Sequence, residues 1–289
     1  MKFFAITTAL VACALLSSSV AADGAESTSW GYKHNDSTMA SPEQWSEHYP
    51  TCGGSRQSPI DIEVSPGCNA ETRSLTFTGD CTEYNLTQNE EAFKAAVNGG
   101  ACNDKTVTIM FAVLTFVAEA GSCAVSANNA SYNMAQFHLH APSEHTLNGE
   151  HFDGEVHFVH SNTDGSSLLV VGVFFKAVDG GETDPWVASV LDALDMVNMN
   201  SSVGISTTSY ADIVNDAADA HGVFNYPGSL TTPPCSEIVD WWVVKEPVKL
   251  STADLERLQS QLKELPITDD GKNARPVHPL NGRVVTAYI

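Results

Sequence analysis

The sequence holds no C-x-x-C pair and no H-E-x-x-H motif. The first absence argues against a thiolate zinc cage, and the second excludes the zinc-protease helix. After residue 22, no run is long and apolar enough to cross a bilayer, for which roughly 20 residues are needed. The C-terminal RVVTAYI lacks the hydrophobic tail of a lipid-anchor signal. Basic residues are scarce: 14 Lys and Arg stand against 35 Asp and Glu, for a net charge of −21. Such a surface repels nucleic acid and anionic lipid and favours solubility. No internal repeat, low-complexity block or linker divides the chain after residue 30.

What is present begins with export. Lys2 precedes the apolar run FFAITTALVACALL, and the small residues SSSVAA follow. That order predicts a secretory signal over residues 1–22. Residues 23–29, DGAESTS, read as a flexible lead-in. Cleavage removes Cys13 and leaves six cysteines, an even number that predicts up to three disulfides in an exported protein. N-x-[ST] sequons at Asn35, Asn85, Asn129 and Asn200 are glycan acceptors in a eukaryotic secretory route.

Strand-like runs rich in β-branched and aromatic residues dominate: SLTFTG, TVTIMFAVLTFVAEA, YNMAQFHLH, EVHFVHS, SLLVVGVFFKAV and IVDWWVVKEPV. Helical patterns are fewer, near 185–197, 209–218 and 251–265, the last with Ser251 as N-cap. The expected fold is mixed α/β and β-dominated. Residues 30–289 form a single domain on a large, mainly antiparallel twisted central sheet with peripheral helices.

Chemistry concentrates in QFHLHAPSEH, residues 136–145. On a strand, Gln136, His138 and His140 share one face, while Phe137 and Leu139 point to the other. A lone H-x-H in a strand is weak grounds for a metal. GEVHFVH at 154–160 strengthens it by putting Glu155 and His157 on one face of a second strand. Fourteen residues separate His140 from Glu155, enough to bring that strand back antiparallel beside the first. Three neutral imidazoles with an open fourth position suit catalytic zinc, with Zn–N of ~2.0–2.1 Å. Gln136 and Glu155 are placed to accept the ligands' outer N–H groups. His34, His48, His145, His151, His160, His221 and His278 have no comparable setting and are left as surface or structural residues. His138, His140 and Glu144 also have cupin spacing, but a cupin wants glycine where this chain has His151, and the P-x-G turn is missing.

The chain from Trp30 to its C-terminus resembles the α-class carbonic anhydrases. WGY at 30–32, QSPIDI at 57–62, QFHLH at 136–140, SEHT at 143–146, EVHFVH at 155–160, GSLTTPPCSE at 228–237 and WWVVKEP at 241–247 match in order. The resemblance implies reversible hydration of carbon dioxide to bicarbonate by a zinc-bound hydroxide. His138, His140 and His157 would hold Zn2+. Zinc lowers the pKa of bound water to about 7, a value known from this family's own enzymes rather than deduced from these residues. Thr231 would be the gatekeeper and Glu144 its partner. Since an ionised carboxylate only accepts, the threonine proton goes to Glu144 and its oxygen accepts from the nucleophile. Val159, Val170, Leu230 and Trp241 would wall the substrate pocket, with Thr232 on its polar side. Cys52 and Cys235 match a disulfide of exported relatives, while the pairing of Cys68, Cys81, Cys102 and Cys123 stays open.

One departure matters. The fastest members carry a proton-shuttling histidine in an N-G-H motif, where this chain reads VNGGACNDKTVTIMF at 97–111. No histidine lies between His48 and His138, so turnover is expected to lean on external buffer. The alternative function is a non-catalytic carbonic-anhydrase-like binding protein. Such proteins typically lose a zinc histidine, and this chain keeps all three.

Overall fold

The computed structural model describes residues 29–63, 75–79, 82–87, 115–118, 123–197 and 202–288. The expected signal, residues 64–74 and the 97–111 segment lie outside them. The strands in chain order are β1 (Asp61–Ile62), β2 (Thr76–Thr78), β3 (Glu83–Thr87), β4 (Thr115–Ala118), β5 (Ala124–Ala127), β6 (Ala130–His140) and β7 (Thr146–Leu147). They continue with β8 (Glu150–His151), β9 (Gly154–Ser161), β10 (Leu168–Val178), β11 (Ser202–Ser206), β12 (Val223–Gly228), β13 (Val239–Ser251) and β14 (Thr286–Tyr288). The main sheet runs β11-β3-β4-β6-β9-β10-β13-β12-β14, with β5 joining β2 to β6. All its pairings are antiparallel except β10 with β13, which is parallel. The sheet is therefore mixed, on a mainly antiparallel plan.

The pleat sorts side chains to the two faces. Phe137, Leu139, Val156, Phe158, Leu169, Val171 and Val173 enter the larger core. Helices α2 (Pro185–Met196), α3 (Tyr210–His221) and α4 (Thr252–Lys263) pack on that side, where Trp186, Leu191, Val214 and Leu258 are buried with the strand residues. The opposite face carries a second core of Val159, Val170, Phe174, Leu230, Trp241 and Val243. A third cluster around Trp30, Tyr32 and Trp45 of α1 (Trp45–His48) holds the Cys52–Cys235 disulfide. Cys123 is also disulfide-bonded.

Local chemistry explains the helix ends. Ser251 accepts the Asp254 N–H at 3.1 Å, capping α4 as its position in the sequence predicts. Asp184 and Ser209 cap α2 and α3 in the same way. Helix α3 runs past the expected 218 and stops before Gly222, whose φ of 87° a side chain would strain. Strands β3, β11 and β12 were not anticipated. EYNLT and SVGIS are short and VFNYPG carries Asn and Pro, so their strand character comes from pairing rather than composition.

His160 fastens α3 to the sheet. It is fully buried, with Nδ1 3.1 Å from Leu169 O and Nε2 2.7 Å from Tyr210 Oη. Burial pushes its pKa down to about 4. The unfolded chain therefore binds the proton at higher pH than the native state, and stability falls as pH drops from about 6.5 towards 4. Denaturant titrations of wild type and His160→Asn at pH 7 and pH 5 should show a smaller loss on acidification in the variant. Equal losses would remove His160 from the account.

Candidate metal centre

The site is set by register. His138 on β6 stands opposite His157 on β9, and His140 stands opposite Glu155. All three imidazoles are buried, and their candidate ligand nitrogens lie within 4.8 Å of one another. His138 Nε2 and His157 Nδ1 are 3.3 Å apart. Two nitrogens ~2.05 Å from one ion at the tetrahedral angle are separated by ~3.3 Å.

The outer nitrogens settle the proton positions. His138 Nδ1 lies 2.9 Å from Gln136 Oε1, His140 Nδ1 lies 2.7 Å from Asn273 O, and His157 Nε2 lies 2.9 Å from Glu155 Oε1. Each partner is an acceptor, so each ring donates its one proton outward and turns a lone pair inward. The 3.3 Å contact therefore joins two lone pairs and is no hydrogen bond. His140 Nε2 is buried without any partner, and so is Glu144 Oε2, 3.4 Å away. Glu144 Oε2 is also 3.8 Å from His157 Nδ1. A cation is what this set of donors fits, since no proton remains among them to relieve the repulsion.

Electrostatics keep the rings ready for it. Burial drives the His138 pKa well below its ordinary value, and the neighbouring His140 and His157 add to the effect. Burial lowers His140 too, against the opposing pull of Glu144. Neutral imidazoles need expel no proton to ligate a metal. Burial alone would raise Glu155, but His145 and His157 outweigh it and hold the carboxyl well below the usual range.

His145 is the residue that sequence reading passed over. It is fully buried, with Nδ1 2.7 Å from Glu155 Oε1 and Nε2 2.7 Å from Tyr226 Oη, which in turn reaches Ser58 Oγ at 2.9 Å. Glu155 Oε2 accepts the backbone N–H groups of Glu144 and His145, each at 2.9 Å. A single carboxylate thus orients a candidate ligand on one strand and the loop carrying Glu144. Gly172, opposite His157 on β10, makes room for it: a Cβ there would meet Glu155 Oε1 at 2.8 Å. Neither His145 nor Asn273 has a periodic signal, because both sit in loops.

The remaining residues named from the sequence divide. Val159, Val170, Leu230 and Trp241 are buried in one cluster, and the Trp241 ring centroid lies 4.8 Å from that of His157. Thr231 and Thr232 are buried in the loop between β12 and β13 that also carries Cys235. The Thr231–Glu144 hydrogen bond does not form in this structure; Glu144 Oε2 turns towards His140 instead. His34 is exposed, with Nδ1 3.4 Å from Glu43 Oε2.

A family model for eukaryotic-type carbonic anhydrases matches residues 40–289. The chain belongs to the α-carbonic anhydrase family. It is 31% identical to mouse carbonic anhydrase 7 over 285 residues, covering 89% of this chain and 96% of that protein. A Nostoc carbonic anhydrase is 30% identical over 273 residues, covering 92% and 88%. The solved α-carbonic anhydrase of Thermovibrio ammonificans, in complex with the inhibitor sulfanilamide, superposes with a TM-score of 0.68 at 30% identity. It covers 90% of this chain and 99% of its own. The α-carbonic anhydrases are zinc-dependent and act on carbon dioxide and bicarbonate, and the buried triad has the donor set for that metal.

Replacing Gln136 with Ala removes the acceptor that fixes the His138 tautomer. Zinc affinity, read by chelator competition, should fall about 10–100-fold with the fold intact. An unchanged affinity would mean that the strand alone orients the ring.

Proposed function

We propose that this protein catalyses the reversible hydration of carbon dioxide to bicarbonate and a proton. The observation that carries this reading is the inward convergence of three imidazole lone pairs beside an unpartnered carboxylate oxygen. His138, His140 and His157 would hold zinc, which as a Lewis acid makes water a nucleophile at neutral pH.

The chain's own groups then aim the reaction. Glu144, ionised, can only accept. In this reading Thr231 turns to donate a hydrogen bond to the free Glu144 oxygen, a contact not made in the structure described, and keeps its own oxygen as an acceptor. That oxygen would accept a hydrogen bond from the attacking group and so orient that group's lone pair towards the substrate carbon. Val159, Val170, Leu230 and Trp241 offer an apolar wall beside His157, suited to an uncharged, weakly hydrogen-bonding substrate. Thr232 supplies the polar side.

Proton export is the slow step in this reading. The stretch between His48 and His138 contains no histidine, so solution buffer takes up the proton that a shuttle would carry. Export from the cell fits the Cys52–Cys235 bridge, since disulfides persist in oxidising compartments.

Stopped-flow assays should show carbon dioxide hydration that a primary sulfonamide inhibits and that His138→Ala abolishes together with bound zinc. A wild-type protein that binds zinc but does not turn over would leave the binding-protein reading in its place. Imidazole added at fixed pH should raise kcat and leave kcat/KM unchanged. A kcat indifferent to buffer would mean that an internal group carries the proton.

A further inference from the structure

Glu144 has one anchored oxygen and one free one. Oε1 accepts the backbone N–H of Arg275 at 2.9 Å, while Oε2 has no partner and faces His140. The position of the Arg275 backbone therefore decides where the free oxygen stands. Two residues earlier, Asn273 O accepts the His140 Nδ1–H, and its side chain bonds Ala141 N and Leu139 O. One short segment, residues 273–275, sets both a metal ligand and the carboxylate beside it.

That segment belongs to no helix or strand; the Asn273 N–H donates to Ala141 O at 3.2 Å, and the Arg275 side chain supplies a second anchor. Arg275 is 2% exposed. Nη1 donates to Gln57 Oε1 at 2.9 Å and to Ser58 O at 2.8 Å, and Nη2 donates to Cys52 O at 3.1 Å. The guanidinium carbon sits over the Trp45 ring, 5.4 Å from its centroid. Gln57 passes the link on, donating to Cys235 O at 3.3 Å in the loop that carries Thr231. Only a planar fork can reach these carbonyls together. Burial, opposed by Glu144, lowers its pKa to about 10, so the cation persists at neutral pH.

We infer that Arg275 is a positioning residue: its buried guanidinium pins residues 273–275 and so fixes both His140 and the free oxygen of Glu144. The inference rests on the reading of His138, His140 and His157 as a zinc centre. It goes beyond that reading by assigning the outer scaffold to a residue 135 positions from His140 in sequence (275 − 140).

The side chain also borders a surface cavity of about 340 Å³, shared with Ser46, Gly53 and His278. A guanidinium ion can reach the space left by truncation, which gives the test. Wild type, Arg275→Ala and Arg275→Lys are compared for zinc affinity by chelator competition and for kcat. Arg275→Ala should lose about tenfold or more in zinc affinity and up to about a hundredfold in kcat. Guanidinium chloride should restore part of both losses, and sodium chloride at equal ionic strength should not. Arg275→Lys keeps the charge without the fork and should stay impaired. Wild-type affinity in folded Arg275→Ala, losses that guanidinium does not relieve, or full function in Arg275→Lys would each overturn the inference. If Arg275→Ala does not fold, the lysine variant decides by the same criterion. A wild type that binds zinc without hydrating carbon dioxide sinks the proposed function, while the affinity measurements still judge Arg275.

Discussion

Each of the three imidazoles donates its single proton away from the others, and the rest of the site depends on that commitment. Gln136 Oε1, Asn273 O and Glu155 Oε1 are acceptors that cannot return a proton. Were any one replaced by a donor, that ring would flip its tautomer and aim an N–H inward. The inward-facing lone pairs, crowded to 3.3 Å at the closest, make the buried cluster costly without a cation and receptive to one. The same acceptors hold the rings in place, so electronic preparation and geometric preparation come from one set of contacts.

The sheet supplies the other half. A two-residue period lets β6 and β9 give histidines to one face and Phe137, Leu139, Val156 and Phe158 to the core on the other. Slipping the β6–β9 register by one residue would turn the histidines into the core and the phenylalanines towards the face that now carries the triad. The large apolar core therefore acts on the chemistry indirectly: it makes any other register expensive. Glu155 ties this layer to the loop above it, since its second oxygen holds the backbone N–H groups of Glu144 and His145.

Long alternating strands were readable before any coordinates, because their apolar residues declare a period. So was the Ser251 cap, a local contact between residues three apart. Strands β3 and β11 were not readable, since five residues are too few to declare a period and become a strand only when a neighbour offers its backbone. Among site residues, the H-x-H face of β6 and the E-x-H face of β9 announced themselves by spacing. His145 did not; it lies in a loop, and its importance comes from Glu155, ten residues on. Thr231 and Glu144 could be named from resemblance to a family, yet both are buried without a hydrogen bond between them here.

By itself, the sequence determined the candidate ligand types, their alternation on two strands, the acidic surface and the apolar faces that drive the sheet together. These are properties of residue identity and short spacing, which local physics can read. Tertiary structure alone decided that His138 meets His157, that Asn273 O completes His140, and that a guanidinium from position 275 braces Glu144 through its own backbone. Those contacts join segments more than a hundred residues apart or settle a register among several possible ones. No local period encodes them, and they exist only once the chain has closed on itself.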